Sequence, residues 1–273
     1  MPNYQLSIIN YQLSKMYPVL FKFGQIAIYT YGLFIALGFL AGISVAKKEA
    51  VRVGEDPDKM MDICFYILIS AIIASRLFYV VVNLEMFLSA PLDIFKIWNG
   101  GLVFYGGFIG AAVTAFIYLK KHRMPLWKTL DILAPSLALG HFLGRIGCFF
   151  AGCCYGKVCH LPWAITFSHP DSLAPTGIPL HPTQLYSALN NLMIFGFLWL
   201  FRRRKKFDGQ LCWIYVLIYG ITRSVIEVFR GDDRGDFIFG VLSVSQTIGI
   251  IMAIIAIVML IFLSKKTSSD FRN

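Results

Sequence analysis

GVLSVSQTIGIIMAIIAIVMLIFL, residues 240–263, runs for 24 positions without one charged side chain. About 20 apolar residues in a helix cross the hydrocarbon core of a bilayer, and a strand of that length and continuity is not a plausible reading. Inside lipid the backbone must satisfy its own N–H and C=O groups, which requires a helix. Six further apolar runs precede it, at 26–46, 63–83, 101–119, 130–151, 185–201 and 211–229. The expected fold is an all-α polytopic membrane protein with about seven transmembrane helices.

Composition agrees. Of 273 residues, 57% are hydrophobic and 15% charged, with a mean hydropathy of +0.66. Soluble domains are roughly 45–50% apolar and about 25% charged. The shortfall in charge excludes a disordered chain, a coiled coil and most soluble enzymes.

Lys+Arg number 25 against 15 Asp+Glu, a net +10. No soluble basic stripe carries interleaved aromatics, so no nucleic-acid partner is expected. Membrane topology explains the excess instead. Sixteen cations fall in alternate connections: Lys47, Lys48, Arg52 and Lys59; Lys120, Lys121, Arg123 and Lys128; Arg202 to Lys206; and Lys265, Lys266 and Arg272. Six lie on the opposite side, and three, Arg76, Arg145 and Arg223, fall inside segments. The positive-inside rule then puts the N-terminus outside and the C-terminus in the cytoplasm. Residues 16–273 read as one integral-membrane domain. Residues 1–15, MPNYQLSIINYQLSK, lack a signal-peptide pattern and read as an N-terminal extension upstream of an alternative start at Met16.

An arginine within a spanning helix marks a functional site by default. Arg76 lies toward the outer half of its segment and reads as structural. In GHFLGRIGCFFAGCCYG, residues 140–156, His141 and Arg145 are four apart and share a helix face. Gly140 and Gly144 form a small-xxx-small pair that admits a close helix neighbour. In YGITRSVIEVFRGDDRGD, Tyr219, Arg223, Glu227 and Arg230 share another face. Arg223 and Glu227 form a natural ion pair, but one Glu cannot neutralise Arg145, Arg223 and Arg230 together. The surplus suits an anion, and phosphate fits guanidinium geometry.

Cys148, Cys153, Cys154 and Cys159 lie close together as C-x4-CC-x4-C, without the paired spacing of metal fingers. They read as packing residues, as a disulfide at an oxidising face, or as metal ligands. No metal and no cofactor are expected. The loop at 152–184, with Trp163, His169 and His181, reads either as a peptide-contact surface or as a plain surface loop.

These residues resemble prolipoprotein diacylglyceryl transferase. The likeness covers IYTYGLFIALGF (28–39), WNGGLVFYGGFIGA (98–111), GRIGCFFAGCCYG (144–156), HPTQLY (181–186), YGITRSVIEVFR (219–230) and LSVSQ (242–246). The resemblance implies a multi-pass enzyme of the bacterial cytoplasmic (inner) membrane. It would move the diacylglyceryl group of phosphatidylglycerol to the lipobox cysteine thiol of a prolipoprotein signal peptide. A thioether forms and glycerol phosphate leaves.

By resemblance, Arg145 takes the lipid phosphate, and Arg223 stabilises the departing glycerol phosphate or the thiolate. Tyr31, Gly156, Tyr219, Glu227 and Arg230 shape the phospholipid head-group site. The chain departs from the family pattern at Cys148, Ala151 and Cys153, which stand for Asn, Asn and Glu. It departs again at Tyr105, where a histidine base often stands, and at Ser187, often an acid. His141 and Tyr105 are thus the side-chain candidates for the catalytic base, unless the arginine field alone lowers the thiol pKa. The competing readings are an anionic-lipid transporter using the same arginines and a redox or metal protein built on the cysteines. A retinal-type receptor is excluded, because residues 240–263 contain no lysine.

Overall fold

The computed structural model describes residues 17–23, 26–232 and 242–270. The N-terminal extension lies outside the described residues. The described residues open with strands β1 (Val19–Phe23) and β2 (Ile26–Tyr29), paired antiparallel. Eight α-helices follow among the described residues: α1 (Thr30–Val53), α2 (Pro57–Val82), α3 (Leu84–Ser89), α4 (Phe104–Lys121), α5 (Leu126–Ala151), α6 (Thr183–Phe201), α7 (Gln210–Glu227) and α8 (Val244–Asp270). A second two-stranded sheet, β3 (Ile165–Thr166) with β4 (Pro179–Leu180), lies between α5 and α6.

Each apolar run thus contains one long helix, and five of these are long and apolar enough to cross a membrane: α1, α2, α5, α6 and α8. The protein is a multi-pass membrane protein. Helices α4 and α7 have 18 residues each, a length of about 27 Å at 1.5 Å per residue. The purely helical expectation is corrected at two places. Residues 26–29, read as the start of the first span, form β2, because β1 offers them a ladder. The loop at 152–184 carries β3 and β4.

The chain divides into two compact units: Met1–Gly42 with Leu130–Asn273, and Ile43–Thr129. In the second unit, α2 begins at Asp56, whose side chain accepts from the Asp58 and Lys59 amides, with Pro57 in the first turn. Helix α4 packs on α2 through glycines. A Cβ on Gly107 would lie 3.1 Å from the Ala71 carbonyl oxygen, and one on Gly110 would lie 3.0 Å from that of Ser70. In lipid, hydrophobicity does not drive helices together, so close contact through small residues must.

Arg76 behaves as the sequence suggests. It is 7% exposed, and its guanidinium donates to the carbonyls of Asp93 (2.6 Å), Ile94 (2.9 Å), Gly100 (2.7 Å) and Gly101 (3.2 Å). It therefore cages the turns at Pro91–Phe95 and Ile97–Asn99 that precede α4.

In the first unit, Ala134, Ala138, Ile194, Leu198, Leu211 and Tyr215 join α5, α6 and α7 in one core. A second core of Phe149, Ile165, Phe167, Ala174 and Leu180 packs the β3–β4 region onto the end of α5. The buried Asp131 carboxylate ties the α6–α7 connection to α5, accepting from Lys205 Nζ and the amides of Gly209 and Cys212, each at 2.9 Å.

Candidate functional site

Helix α5 carries His141, Arg145 and Cys148 on one face, at i, i+4 and i+7. Its neighbour is α1. The backbones approach at Gly38 and Gly140, where a Cβ on Gly38 would meet the Gly140 carbonyl oxygen at 3.1 Å. A Cβ on Gly144 would meet Ile35 at 3.4 Å. The small-xxx-small pair thus seats α1 against the arginine turn. Tyr31 packs over Gly147, where a Cβ would lie 3.3 Å from its ring, and it feels the field of Arg145.

Helix α7 crosses α8 at Gly220 and Gly249; a Cβ on Gly220 would lie 2.6 Å from the Gly249 carbonyl oxygen. This contact places Arg223 beside α8. Arg223 pairs with Glu227 and donates to Ser245 Oγ at 3.4 Å, while Ser243 Oγ donates to Glu227 at 3.4 Å. The expected Arg223–Glu227 pair is therefore present, held by Ser245 of α8 and by Ser243 just before it.

Arg230 follows the end of α7 and is 6% exposed. Its Nε and Nη2 grip Asp232 at 2.8 and 2.7 Å. Asp232 was not assigned from the sequence, so the charge surplus is smaller than three arginines against one acid. The third nitrogen, Nη1, is buried without a hydrogen-bond partner among the described residues. Arg230 also interacts with Cys154.

Arg145 differs from both. Among the described residues it forms no ion pair with a carboxylate, and the groups acting on it most strongly are the Tyr219 hydroxyl and the thiols of Cys148 and Cys154. His141 lies one turn away, its Nδ1 2.7 Å from the Tyr215 hydroxyl and its ring 5.5 Å from that of Tyr219.

Beyond Ala151 the chain reverses sharply. Gly152 (φ +74°) and Cys154 (φ +63°) are both left-handed, a region that a residue with a Cβ rarely adopts. The HPTQ stretch clamps this turn, as Thr183 Oγ1 donates to the Cys154 carbonyl (2.7 Å) and Gln184 Nε2 to that of Cys153 (2.8 Å). The turn folds Cys153 and Cys154 back on Cys148, so that the three sulfurs lie within 4.8 Å of one another. Hydrogen bonds with the Cys148 and Cys153 thiols draw the Cys154 thiol below its usual value, and the fields of Arg230 and Arg145 act in the same direction. Cys159 is not in this group; it is buried near β4, with its amide on the Pro179 carbonyl.

Gly156 sits where the backbone crowds. A Cβ there would fall 2.6 Å from the His181 carbonyl oxygen and 2.8 Å from that of Phe229. Its bridge to Arg230 brings that arginine beside the cysteine turn. Trp163 and His181, from the same loop, both bond the Tyr186 hydroxyl, at 2.8 and 3.2 Å.

Of the sequence-assigned residues, Tyr31, His141, Arg145, Gly156, Tyr219, Arg223, Glu227 and Arg230 belong to the first unit. Tyr105 belongs to the second, at the start of α4, where it is 58% exposed and edge-on to Phe104. Sequence reasoning missed Asp232, Tyr215 and the convergence of three cysteines. The DD after Arg230 and the Gly-Cys-Cys turn were the signals available.

The family model described as prolipoprotein diacylglyceryl transferase matches residues 18–262. A Clostridium tetani protein named phosphatidylglycerol–prolipoprotein diacylglyceryl transferase is 38% identical over 242 residues, covering 89% of this chain and 96% of its own length. Proteins of the same name from Finegoldia magna and Vibrio cholerae are 36% and 33% identical, covering 91% and 93% of this chain and 96% and 94% of their own.

Proposed function

This chain belongs to the prolipoprotein diacylglyceryl transferase family, and on that premise we propose that it transfers the diacylglyceryl group of phosphatidylglycerol to the lipobox cysteine of prolipoprotein signal peptides. The observation that carries this reading is Arg145: a guanidinium inside a helix bundle whose described partners are a phenol and thiols rather than a carboxylate. A phosphodiester supplies the missing negative charge, and a guanidinium meets its two free oxygens with two parallel hydrogen bonds.

The lipobox thiolate attacks the glyceryl carbon that bears the phosphate ester. The C–O bond breaks with its electron pair on oxygen, and glycerol phosphate leaves. Charge develops on the phosphate, so preorganised cations lower the barrier. Arg145 holds the phosphate, and Arg223, steadied by Glu227 and Ser245, faces the departing group. Tyr31, Tyr219, Gly156 and Arg230 shape the head-group site. His141, oriented by Tyr215, takes the thiol proton, and Tyr105 at the start of α4 is the second candidate.

In this reading α4 and α7 also cross the bilayer, giving seven spans with the N-terminus outside and the C-terminus in the cytoplasm. Their length of about 27 Å nearly matches a core of about 30 Å, and the cation bias supports the orientation. Residues 16–273 act as one domain in the bacterial inner membrane. The test is transfer from phosphatidylglycerol labelled in its diacylglyceryl part to a synthetic lipobox peptide. Label on the cysteine as a thioether supports the reading. Lipid movement without thioether overturns it in favour of an anionic-lipid transporter.

A further inference from the structure

The cysteine turn is not explained by packing alone. Helix α5 delivers Cys148, and two left-handed residues at 152 and 154 return Cys153 and Cys154 to it. A left-handed non-glycine residue is costly and clusters at functional sites. Thr183 and Gln184 spend their side chains holding the two carbonyls of this turn. The product is three sulfurs mutually within 4.8 Å, beside two guanidinium groups, Arg145 and Arg230. Zinc–sulfur bonds are about 2.3 Å, so sulfurs sharing a tetrahedral zinc stand roughly 3.8 Å apart. The cluster needs to tighten by no more than about an ångström, which side-chain torsions supply.

We propose that Cys148, Cys153 and Cys154 bind one zinc ion whose fourth position takes the lipobox cysteine and holds it as the attacking thiolate. This proposal departs from the expectation of no metal drawn from linear spacing. This inference rests on the transferase reading, since it assigns the metal to that reaction. It also answers the puzzle left by the chain's own residues: the position where the family often has a histidine base holds Tyr105. A zinc-bound thiol is deprotonated outright, so the chemistry no longer needs a strong side-chain base. Three protein ligands with an open fourth position is the arrangement of catalytic zinc.

The step balances without redox change. The lipobox S–H proton is released on metal binding and passes to His141, two turns along the same face of α5. The zinc-held sulfur forms a bond to the glyceryl carbon, and the carbon–oxygen bond breaks with its electrons on the phosphate oxygen. The product thioether is neutral and a weaker ligand than a thiolate, so it departs.

The test uses the full chain purified in detergent with metal-free buffers. Metal analysis by mass spectrometry should find about one zinc per chain. Cys153→Ser and Cys154→Ser should lose it, while Cys64→Ser should keep it. Chelation of the unmutated protein should abolish thioether formation, and zinc should restore it. With Co²⁺ in place of zinc, the visible thiolate bands should shift when the lipobox peptide is added. Full transfer by metal-free protein overturns the inference and leaves the transferase reading standing. A disulfide among the three cysteines, or copper in place of zinc, also overturns it. Stoichiometric zinc with no thioether formed under any loading overturns the transferase reading, and with it the metal's role in thiol activation.

Discussion

Replacing Arg76 with alanine removes the cage around residues 91–101. Four hydrogen bonds of 2.6–3.2 Å disappear, each from a charged donor to a backbone carbonyl. Such bonds contribute about 1.5–3 kcal/mol each. Their sum overstates the loss, because the carbonyl-bearing residues are half-buried or exposed and regain water. Removing one partner of a buried charged arrangement costs about 3–5 kcal/mol, which is the better bound. At roughly 2–4 °C per kcal/mol, the melting temperature in detergent should fall by roughly 6–20 °C. A local readout accompanies the global one. Lys96, held in this segment and 44% exposed at its side chain, should become a preferred tryptic site in Arg76→Ala. Arg76→Lys should rescue little, because one ammonium cannot reach carbonyls on both turns. An Arg76→Ala protein with unchanged melting temperature and an intact Lys96 bond would refute the structural role. So would loss of transfer activity with stability untouched, which would make Arg76 a substrate contact.

Other consequences are equally concrete. Gly156→Ala should destabilise the protein by about 1–3 kcal/mol, seen in thermal unfolding, because its Cβ has no room between His181 and Phe229. Asp131→Asn leaves Lys205 without its buried partner and should lower the melting temperature more than Asp208→Asn does. Burial lowers the pKa of Lys205, but hydrogen bonds to Asp208 and Asp131 outweigh it and hold the value above the ordinary one. The stabilisation is therefore fully present below about pH 10 and lost as pH rises through the higher folded value. The melting-temperature gap between the parent and Lys205→Met should narrow accordingly on raising the pH. His141→Ala should slow transfer without weakening phosphatidylglycerol binding; undiminished transfer would remove His141 as proton acceptor.

The long apolar helices were legible because a bilayer-length apolar run is a one-dimensional signal, as 240–263 illustrates. So were the Gly140–Gly144 contact face and the Arg223–Glu227 pair, since both follow from helical spacing. The structural role of Arg76 could be suspected from its depth, but not its partners: carbonyls of turns 17 to 25 residues away carry no sequence mark. The cysteine cluster hid for a related reason. Its ligand spacing is irregular in sequence because the return depends on Cys154 adopting a left-handed backbone, a conformation its residue type disfavours. Asp232 escaped because it lies beyond the helix, where periodicity no longer predicts which side chain an arginine meets.

Arg145, with no carboxylate paired to it among the described residues, is the group proposed to take the lipid phosphate. Its most direct test compares diacylglyceryl transfer to a lipobox peptide by the parent, Arg145→Lys and Arg145→Ala, at equal folded amounts. Removal of a preorganised group that stabilises transition-state charge costs roughly 100- to 1,000-fold in rate. Arg145→Ala should fall by that much and Arg145→Lys should fall between the two. Transfer within a few-fold of the parent in Arg145→Ala would contradict the account.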